Sequence, residues 1–324
     1  MPEFIAGYPL RKIARKHEFL RRLLWRVDFA LLWSLLKLYR LLPVEWASAL
    51  GARVGAVIGP LMWRKTAILE ENFRIVFPEK SPDEIKHLVK AFWPNAGRLL
   101  SEYTHLDHIT NDRGGERLEV IVRDPDLTFR DRNRPAVVVG AHLGNWELAA
   151  SALGRLGIEN TALYTPPSNP WFERTLLESR AALKSELLPR DNCARPLIER
   201  LMAGRTVGML LDRRVEGGKP ITFFGRDKPT SIMPAKLALK FDCDLIPAQV
   251  ERIKGAHFRV TFHPPVHPAN PGDCKIDQAI DMIQQLHQLF ESWIRQRPED
   301  WFCSKRLWPK ARPDNPEKAR HGSE

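Results

Sequence analysis

Cysteine is scarce in this chain, and its few copies lie far apart. The 324 residues include four cysteines, and no two of them form a C-x-x-C pair. This distribution predicts neither a zinc site nor a disulfide framework and is typical of a reducing compartment. The sequence also contains no Walker A, G-x-G-x-x-G or G-x-S-x-G motif, which argues against the nucleotide-binding and serine-hydrolase classes. The N-terminal apolar region is charged and has no small-residue cleavage site, so we expect no secretory signal.

Acidic residues are outnumbered by basic ones. The chain has 39 Asp plus Glu against 50 Lys plus Arg, a net charge of +11. This balance predicts an anionic partner: either nucleic acid, the anionic face of a membrane or a phosphorylated substrate. Hydrophobic residues make up 44% of the chain, enough for the core of one large domain or two modest ones.

The N-terminal region combines basic and large apolar residues. Between Leu23 and Leu42, four charged residues interrupt the window of roughly 20 apolar residues that a spanning helix needs. At about 100° per residue, the basic side chains fall on one stripe, opposite a Leu-rich face. The stripe comprises Arg15, Arg22, Arg26, Lys37 and Arg40, and the opposite face Leu24, Leu31, Leu35, Leu38 and Leu42. We therefore predict that residues 1–45 form a basic amphipathic helix that lies in the membrane interface. The alternative is an ordinary amphipathic helix packed on the body of the protein.

The rest of the chain predicts an α/β fold with a mainly parallel sheet flanked by helices. Ser81 and Glu84 have capping-box spacing and predict a helix start. From Val120 onward, short apolar runs alternate with helical patterns. The predicted strands are Ala136–Ala141, Thr161–Tyr164, Thr206–Leu211, Asp244–Val250 and Phe258–Phe262. The predicted helices are Trp146–Leu156, Trp171–Leu183, Arg195–Ala203, Ile232–Lys240 and Ile276–Arg295. Residues 46–311 make up this domain, and residues 312–324 are a polar tail.

The segment GAHLGNWE joins a buried strand to a helix and carries the candidate chemistry. His142 stands where the strand ends, and Asn145 is a turn residue that suits a helix N-cap. Glu147 follows in the predicted helix, so His142 and Glu147 fit a general base and the group that orients it. A structural histidine and a first-turn acid that is favoured by the helix dipole remain the alternative. Asp212 ends another apolar strand and is either a salt-bridged structural group or part of an acceptor pocket.

The sequence shows no obvious Ser or Cys nucleophile beside His142. The simplest chemistry is therefore direct: the histidine activates the hydroxyl group of a bound acceptor, which attacks a carbonyl group. Guanidinium groups suit a phosphate on such an acceptor. The candidates are Arg180, Arg190, Arg195, Arg213 and Arg214.

Taken together, these segments resemble the late acyltransferases of lipid A biosynthesis, the lauroyl/myristoyl acyltransferase family. NFRIVFP (Asn72 to Pro78) is similar to a family segment upstream of the catalytic motif, and HLGNWE is similar to the family's H-x4-[DE] box. ESRAALKSELLPRDN contains Arg180, and GRTVGMLLDRR contains Asp212 at the matching positions. RPEDWFCSKRLWPKARP near the end also fits, and it keeps Arg306.

The resemblance implies a glycerolipid-acyltransferase-like fold at the cytoplasmic face of the inner membrane. It implies transfer of a fatty acyl chain from acyl carrier protein to a hydroxyl group of an anionic lipid A precursor. His142 and Glu147 would be catalytic, and Arg180, Asp212, Asn145 and Arg306 would bind substrate. We expect no cofactor, no metal and no nucleic acid.

Two positions depart from the family motifs. Arg213 stands where Gln is usual, and Lys305 replaces a His. The alternatives are a glycerophospholipid (lysophosphatidate-type) acyltransferase that uses acyl-CoA and a non-enzymatic basic membrane-binding protein. The Glu at position 147 and the RPEDW segment argue against the first, and the patterned α/β body argues against the second.

Overall fold

The computed structural model describes residues 10–111, 116–124 and 134–309. The predicted polar tail lies outside the described residues. Helices fill the N-terminal third: α1 (Arg11–Ala14), α2 (Glu18–Arg40), α3 (Val44–Ile58), α4 (Trp63–Val76), α5 (Pro82–Glu102) and α6 (Leu106–Thr110). The predicted capping box opens α5, since the backbone N–H of Glu84 donates to Ser81 and the Glu84 carboxylate accepts from the backbone N–H of Ser81.

Seven strands form the central sheet. The sequence predicts five of them, and Leu118–Val122 and Glu186–Pro189 were not predicted. The seven strands are β1 (Leu118–Val122), β2 (Ala136–Gly140), β3 (Asn160–Tyr164), β4 (Glu186–Pro189), β5 (Thr206–Leu210), β8 (Asp244–Lys254) and β9 (His257–Phe262). Their order across the sheet is β1-β9-β8-β2-β5-β3-β4, and only the β8–β9 pair is antiparallel. The remaining helices are α7 (Leu148–Arg155), α8 (Pro170–Arg180), α9 (Ala194–Met202), α10 (Met233–Phe241) and α11 (Lys275–Gln296). The prediction of a mainly parallel sheet flanked by helices is confirmed.

A separate hairpin, β6 (Lys219–Phe223) with β7 (Arg226–Thr230), was not predicted. The hydrophobic core lies on both faces of the sheet. Val137 and Val139 contribute to one cluster and Val138 to the other, because alternate side chains of a strand point to opposite faces.

Helix α2 packs on the body of the protein and also exposes apolar side chains. The Phe29 ring lies 5.8 Å from that of Trp171 in α8, and Asn169 donates a 3.0 Å hydrogen bond to the carbonyl oxygen of Trp25. Asp28, which interrupts the apolar side in the sequence, is buried. Large apolar residues on the outer side remain exposed, among them Phe19, Leu23, Val27 and Leu31. No helix in the described ranges is both long and apolar enough to cross a membrane.

Candidate active site

The register of two central strands brings His142 and Asp212 together. Gly140 at the end of β2 pairs with Leu210 at the end of β5, and each chain continues for two residues to His142 and to Asp212. Nδ1 of His142 lies 2.6 Å from Oδ1 of Asp212. The pair sits at the carboxyl ends of parallel strands, where ligand sites of such sheets collect.

Burial and charge set the protonation of this pair. Burial lowers the pKa of His142 below its usual value and Arg213 acts in the same direction, whereas Asp212 opposes the shift. Burial alone would raise the pKa of Asp212, but the charge and hydrogen bond of His142, with Arg213 and Lys228, hold it well below its usual range. At neutral pH the pair is therefore an aspartate beside a neutral imidazole, which is the state that a general base requires.

Asp212 and the turn at His142 are held by the C-terminal segment. Nε1 of Trp301 donates a 2.9 Å hydrogen bond to Oδ2 of Asp212, and the backbone N–H of Phe302 donates a 2.8 Å bond to the carbonyl oxygen of His142. Asn72 donates from its amide to the carbonyl oxygens of Cys303 and Lys305. The NFRIVFP and RPEDW segments thus support the strand ends, and the role of Trp301 was not predicted.

A buried lysine lies behind the pair. Nζ of Lys228 donates to the carbonyl oxygens of Leu211 and Asp212 at 3.2 and 2.8 Å. Burial lowers the pKa of Lys228 to about 7, although Asp212 opposes this shift. Lys228 lies in the unpredicted hairpin strand β7, so the sequence pattern did not reveal it.

Glu147 hydrogen bonds to side chains other than His142, its predicted partner. Its carboxylate accepts hydrogen bonds from the Arg180 guanidinium group, from the Tyr103 hydroxyl group at 2.5 Å and from Nε1 of Trp146 at 3.1 Å. The sequence predicts that Glu147 orients His142 by binding one ring nitrogen of the histidine. This prediction is wrong, because Asp212 occupies Nδ1 of His142. Residues between His142 and Leu148 form a turn that directs the carboxylate toward Arg180 instead.

Arg180 is a buried cation at the edge of the site. Burial alone would lower the pKa of Arg180, but Glu147 and Tyr103 raise it above its usual value, so the guanidinium group stays charged. Its Nε and Nη1 atoms are buried without a hydrogen-bond partner in the described part of the chain. Because protein covers both atoms, the predicted contact of Arg180 with substrate stays a prediction.

The other two predicted substrate-binding residues have structural partners. Asn145 is buried and donates a 3.3 Å hydrogen bond to Glu102. It does not cap the following helix, since α7 begins at Leu148. Arg306 forms an ion pair with Glu71 of α4. Among the described residues, neither side chain hydrogen bonds to His142, Asp212 or Glu147, so their substrate contacts remain predictions.

An apolar groove lies between α2 and α8. Its lining includes Phe29, Leu32, Leu36, Phe172 and Leu176. Tyr103, which contacts Glu147, also lines it. Through Tyr103, the groove borders the hydrogen-bonded group that includes Glu147 and Arg180. Within the described ranges, no group of three or more His, Cys, Asp or Glu side chains could hold a metal ion.

Comparison with known proteins decides the family. A family model described as bacterial lipid A biosynthesis acyltransferase matches residues 15–310. The chain belongs to this family. The resemblance carried by the motifs at His142, Arg180 and Asp212 is therefore confirmed at the level of the family.

Two relatives found by sequence comparison are named as acyltransferases. The phosphatidylinositol mannoside acyltransferase of Mycolicibacterium smegmatis is 26% identical over 249 residues, which cover 74% of this chain and 78% of that protein. The lipid A biosynthesis palmitoleoyltransferase of Escherichia coli is 27% identical over 206 residues, covering 64% of this chain and 65% of the enzyme. A solved structure, the 1-acyl-sn-glycerophosphate acyltransferase of Thermotoga maritima, aligns with a TM-score of 0.34 and 12% identity, covering 78% of this chain and 97% of that one.

Proposed function

We propose that this acyltransferase moves a fatty acyl chain from acyl carrier protein to a hydroxyl group of a lipid A precursor, with His142 as the general base. The observation that carries the proposal is the hydrogen bond between buried Asp212 and Nδ1 of His142, in a chain of this family. It fixes the imidazole with Nδ1 as donor, so Nε2 is the free base for the acceptor hydroxyl.

The reaction is a direct transfer. His142 takes the proton of the acceptor hydroxyl group, and the alkoxide oxygen attacks the thioester carbonyl carbon. The tetrahedral intermediate then collapses, the C–S bond breaks and the carrier leaves as a thiolate. Asp212 stabilises the imidazolium ion that forms. The proton on His142 then passes to the leaving thiolate. Among the described residues, no Ser or Cys side chain is hydrogen bonded to His142, which favours this route over a covalent acyl-enzyme.

The acyl chain would occupy the groove between α2 and α8. Its lining is mostly apolar, and it includes Tyr103, whose hydroxyl group donates to Glu147. We expect the thioester carbonyl to lie near Arg180, whose Nε and Nη1 have no hydrogen-bond partner in the described part of the chain and would have to be uncovered when substrate binds. Fixed donors of this kind stabilise a developing oxyanion.

The cytoplasmic face of the inner membrane is the proposed location. Phe19, Leu23, Val27 and Leu31 are exposed at intervals of four residues on α2, and such a stripe can enter the headgroup region of a bilayer. Flotation with vesicles that contain anionic phospholipid tests this placement. Phe19→Gln/Leu23→Gln should reduce binding, and Met202→Gln, which removes an exposed apolar residue from α9, should not. Equal binding of all three proteins would contradict the placement.

A second acceptor class is a phosphatidylinositol mannoside, because the Mycolicibacterium smegmatis relative aligns over most of both chains. Both candidates are tested with purified protein in detergent. Acyl carrier protein and coenzyme A, loaded with the same chain, are each offered with a lipid A precursor, a phosphatidylinositol mannoside or lysophosphatidate. Mass spectrometry should find the acylated lipid A precursor, formed faster from acyl carrier protein. A product only with lysophosphatidate and acyl-CoA would overturn the proposal.

A further inference from the structure

Four basic side chains lie within electrostatic range of one another, and one of them, Arg213, directly follows Asp212. They are Lys65 of α4, Arg190 just after β4, Arg213 next to Asp212, and Lys305 of the C-terminal segment. Burial lowers the pKa of Lys305, and Arg213, Lys65 and Arg190 lower it further. Burial likewise lowers the pKa of Lys65, again with a contribution from Arg213. The four charges are close enough to repel one another. We call them the basic cluster.

The fold fixes the basic cluster from four separate segments. Nζ of Lys65 donates a 3.1 Å hydrogen bond to the carbonyl oxygen of Ser304, and Asn72 donates a 2.9 Å bond to that of Lys305. The backbone N–H of Arg190 donates to the carbonyl oxygen of Tyr164 at 2.8 Å. Arg213 is placed by its neighbour Asp212, which is held on His142. Two of these contacts, from Asn72 to Lys305 and between Asp212 and His142, also support the catalytic pair.

Asp212 acts electrostatically on Arg213, but none of the four side chains of the basic cluster has a hydrogen-bonded acidic partner among the described residues. Arg200 and Arg252, by contrast, each hydrogen bond to a carboxylate. Gathering like charges costs stability, and a bound anion would offset that cost. Arg213 and Lys305 are also the two positions where this chain departs from the motifs of its family, and each departure from Gln or neutral His adds a positive charge.

We propose that the basic cluster binds a phosphate group of the acyl acceptor and thereby places the acceptor hydroxyl at His142. Lysine ammonium and arginine guanidinium groups are the side chains that bind phosphate oxygens. Arg213 connects the two sites because it follows the aspartate that holds His142. The inference rests on the proposed function in one respect, since it assigns the phosphate to the acceptor rather than to a free ion.

Kinetics with matched acceptors test the assignment. One acceptor is a phosphorylated lipid A precursor, and the other is the same lipid after phosphatase treatment. Arg213→Gln/Lys305→Gln should raise KM for the phosphorylated acceptor about tenfold or more, with a smaller change in kcat and no change in KM for the dephosphorylated one. The control Arg226→Gln/Lys236→Gln removes two exposed charges outside the cluster and should behave as the wild type. An unchanged KM, or an equal rise for both acceptors, would overturn the proposal.

Thermal unfolding gives a second readout that needs no acyl transfer. In sodium phosphate, compared with sodium chloride of equal ionic strength, the melting temperature of the wild type and the control should rise. The Arg213→Gln/Lys305→Gln protein should show a smaller rise, and in chloride it should melt above the wild type because repulsion is relieved. An equal rise in all three proteins overturns the anion site.

Stabilisation by phosphate without a KM preference would mean that the site binds free phosphate and not the acceptor. If no acceptor is acylated, the proposed function fails and the melting data alone decide whether the anion site exists.

Discussion

Replacing Asp212 by Asn separates the charge of the catalytic pair from its shape. Asp212 is 1% exposed, and its two oxygens bind Nδ1 of His142 at 2.6 Å and Nε1 of Trp301 at 2.9 Å. An asparagine fills the same volume and can keep one of these bonds. It removes the negative charge that stabilises the imidazolium ion when His142 takes the acceptor proton.

The size of the effect follows from burial. Removing one partner of a buried ion pair costs about 3–5 kcal/mol. That cost applies when His142 carries the proton, which happens in the transition state and not in the resting enzyme. A loss of about 3–4 kcal/mol corresponds to a fall in kcat of roughly 100- to 1,000-fold.

The pH profile of kcat/KM reports the same charge. Activity requires neutral His142, so the rate falls as pH drops through its pKa. Asp212 raises the pKa of His142 against the effect of burial, so its loss lowers that pKa and moves the acid limb of the profile to lower pH. Initial rates of acyl transfer, measured across the acid range, give the pH at which kcat/KM falls.

A matched variant controls for the loss of a carboxylate. Asp227→Asn changes an exposed residue of the hairpin and should leave kcat and the acid limb unchanged. If Asp212→Asn is folded and keeps kcat within about threefold of the wild type, or if its acid limb stays in place, Asp212 does not assist His142.

Three further predictions concern stability, measured by urea unfolding. Glu147→Ala should lower the free energy of unfolding by about 3–5 kcal/mol because Arg180 is left unpaired, and Arg180→Leu in the same chain should restore part of it; an additive loss would contradict the pairing. The pKa of Lys228 in the folded protein is about 7, which lies below that of an unfolded lysine. Above pH 7 the unfolded chain therefore binds more protons than the folded one. The free energy of unfolding should rise between about pH 7 and 9, by at most about 1.4 kcal/mol per pH unit. Lys228→Met should flatten this rise, and an unchanged slope would contradict it. Gly97→Ala should cost about 1–3 kcal/mol because its Cβ would meet the backbone of α3, whereas Gly154→Ala in α7, with room for a Cβ, should gain up to about 1 kcal/mol.

Most elements of the α/β body could be predicted from apolar patterning. The strand predicted at Ala136–Ala141 is found at Ala136–Gly140, because a strand buried on both faces leaves a continuous apolar run. The strands Leu118–Val122 and Glu186–Pro189 were not predicted, and neither was the hairpin Lys219–Phe223 with Arg226–Thr230. The hairpin strands carry prolines and charges and lie partly in solvent, so they have no apolar run to detect.

The partner of His142 could not be predicted from local spacing. Five residues separate His142 from Glu147 in the sequence, which favoured that pair, but the turn between them leads Glu147 to Arg180 and Tyr103. Asp212 becomes the partner only because β2 and β5 are neighbours in the sheet. Sheet order depends on long-range packing, and the apolar pattern of each strand does not encode it.

The acyl-transfer rate of His142→Ala tests the central claim most directly. The purified variant, the wild type and His87→Ala, which removes an exposed histidine of α5, are compared with acyl carrier protein as donor and a lipid A precursor as acceptor. Circular dichroism confirms that all three are folded, and mass spectrometry counts the product. If His142 is the general base, its variant should lose about 100- to 10,000-fold in kcat, and His87→Ala should match the wild type. A folded His142→Ala protein with wild-type kcat would contradict the account.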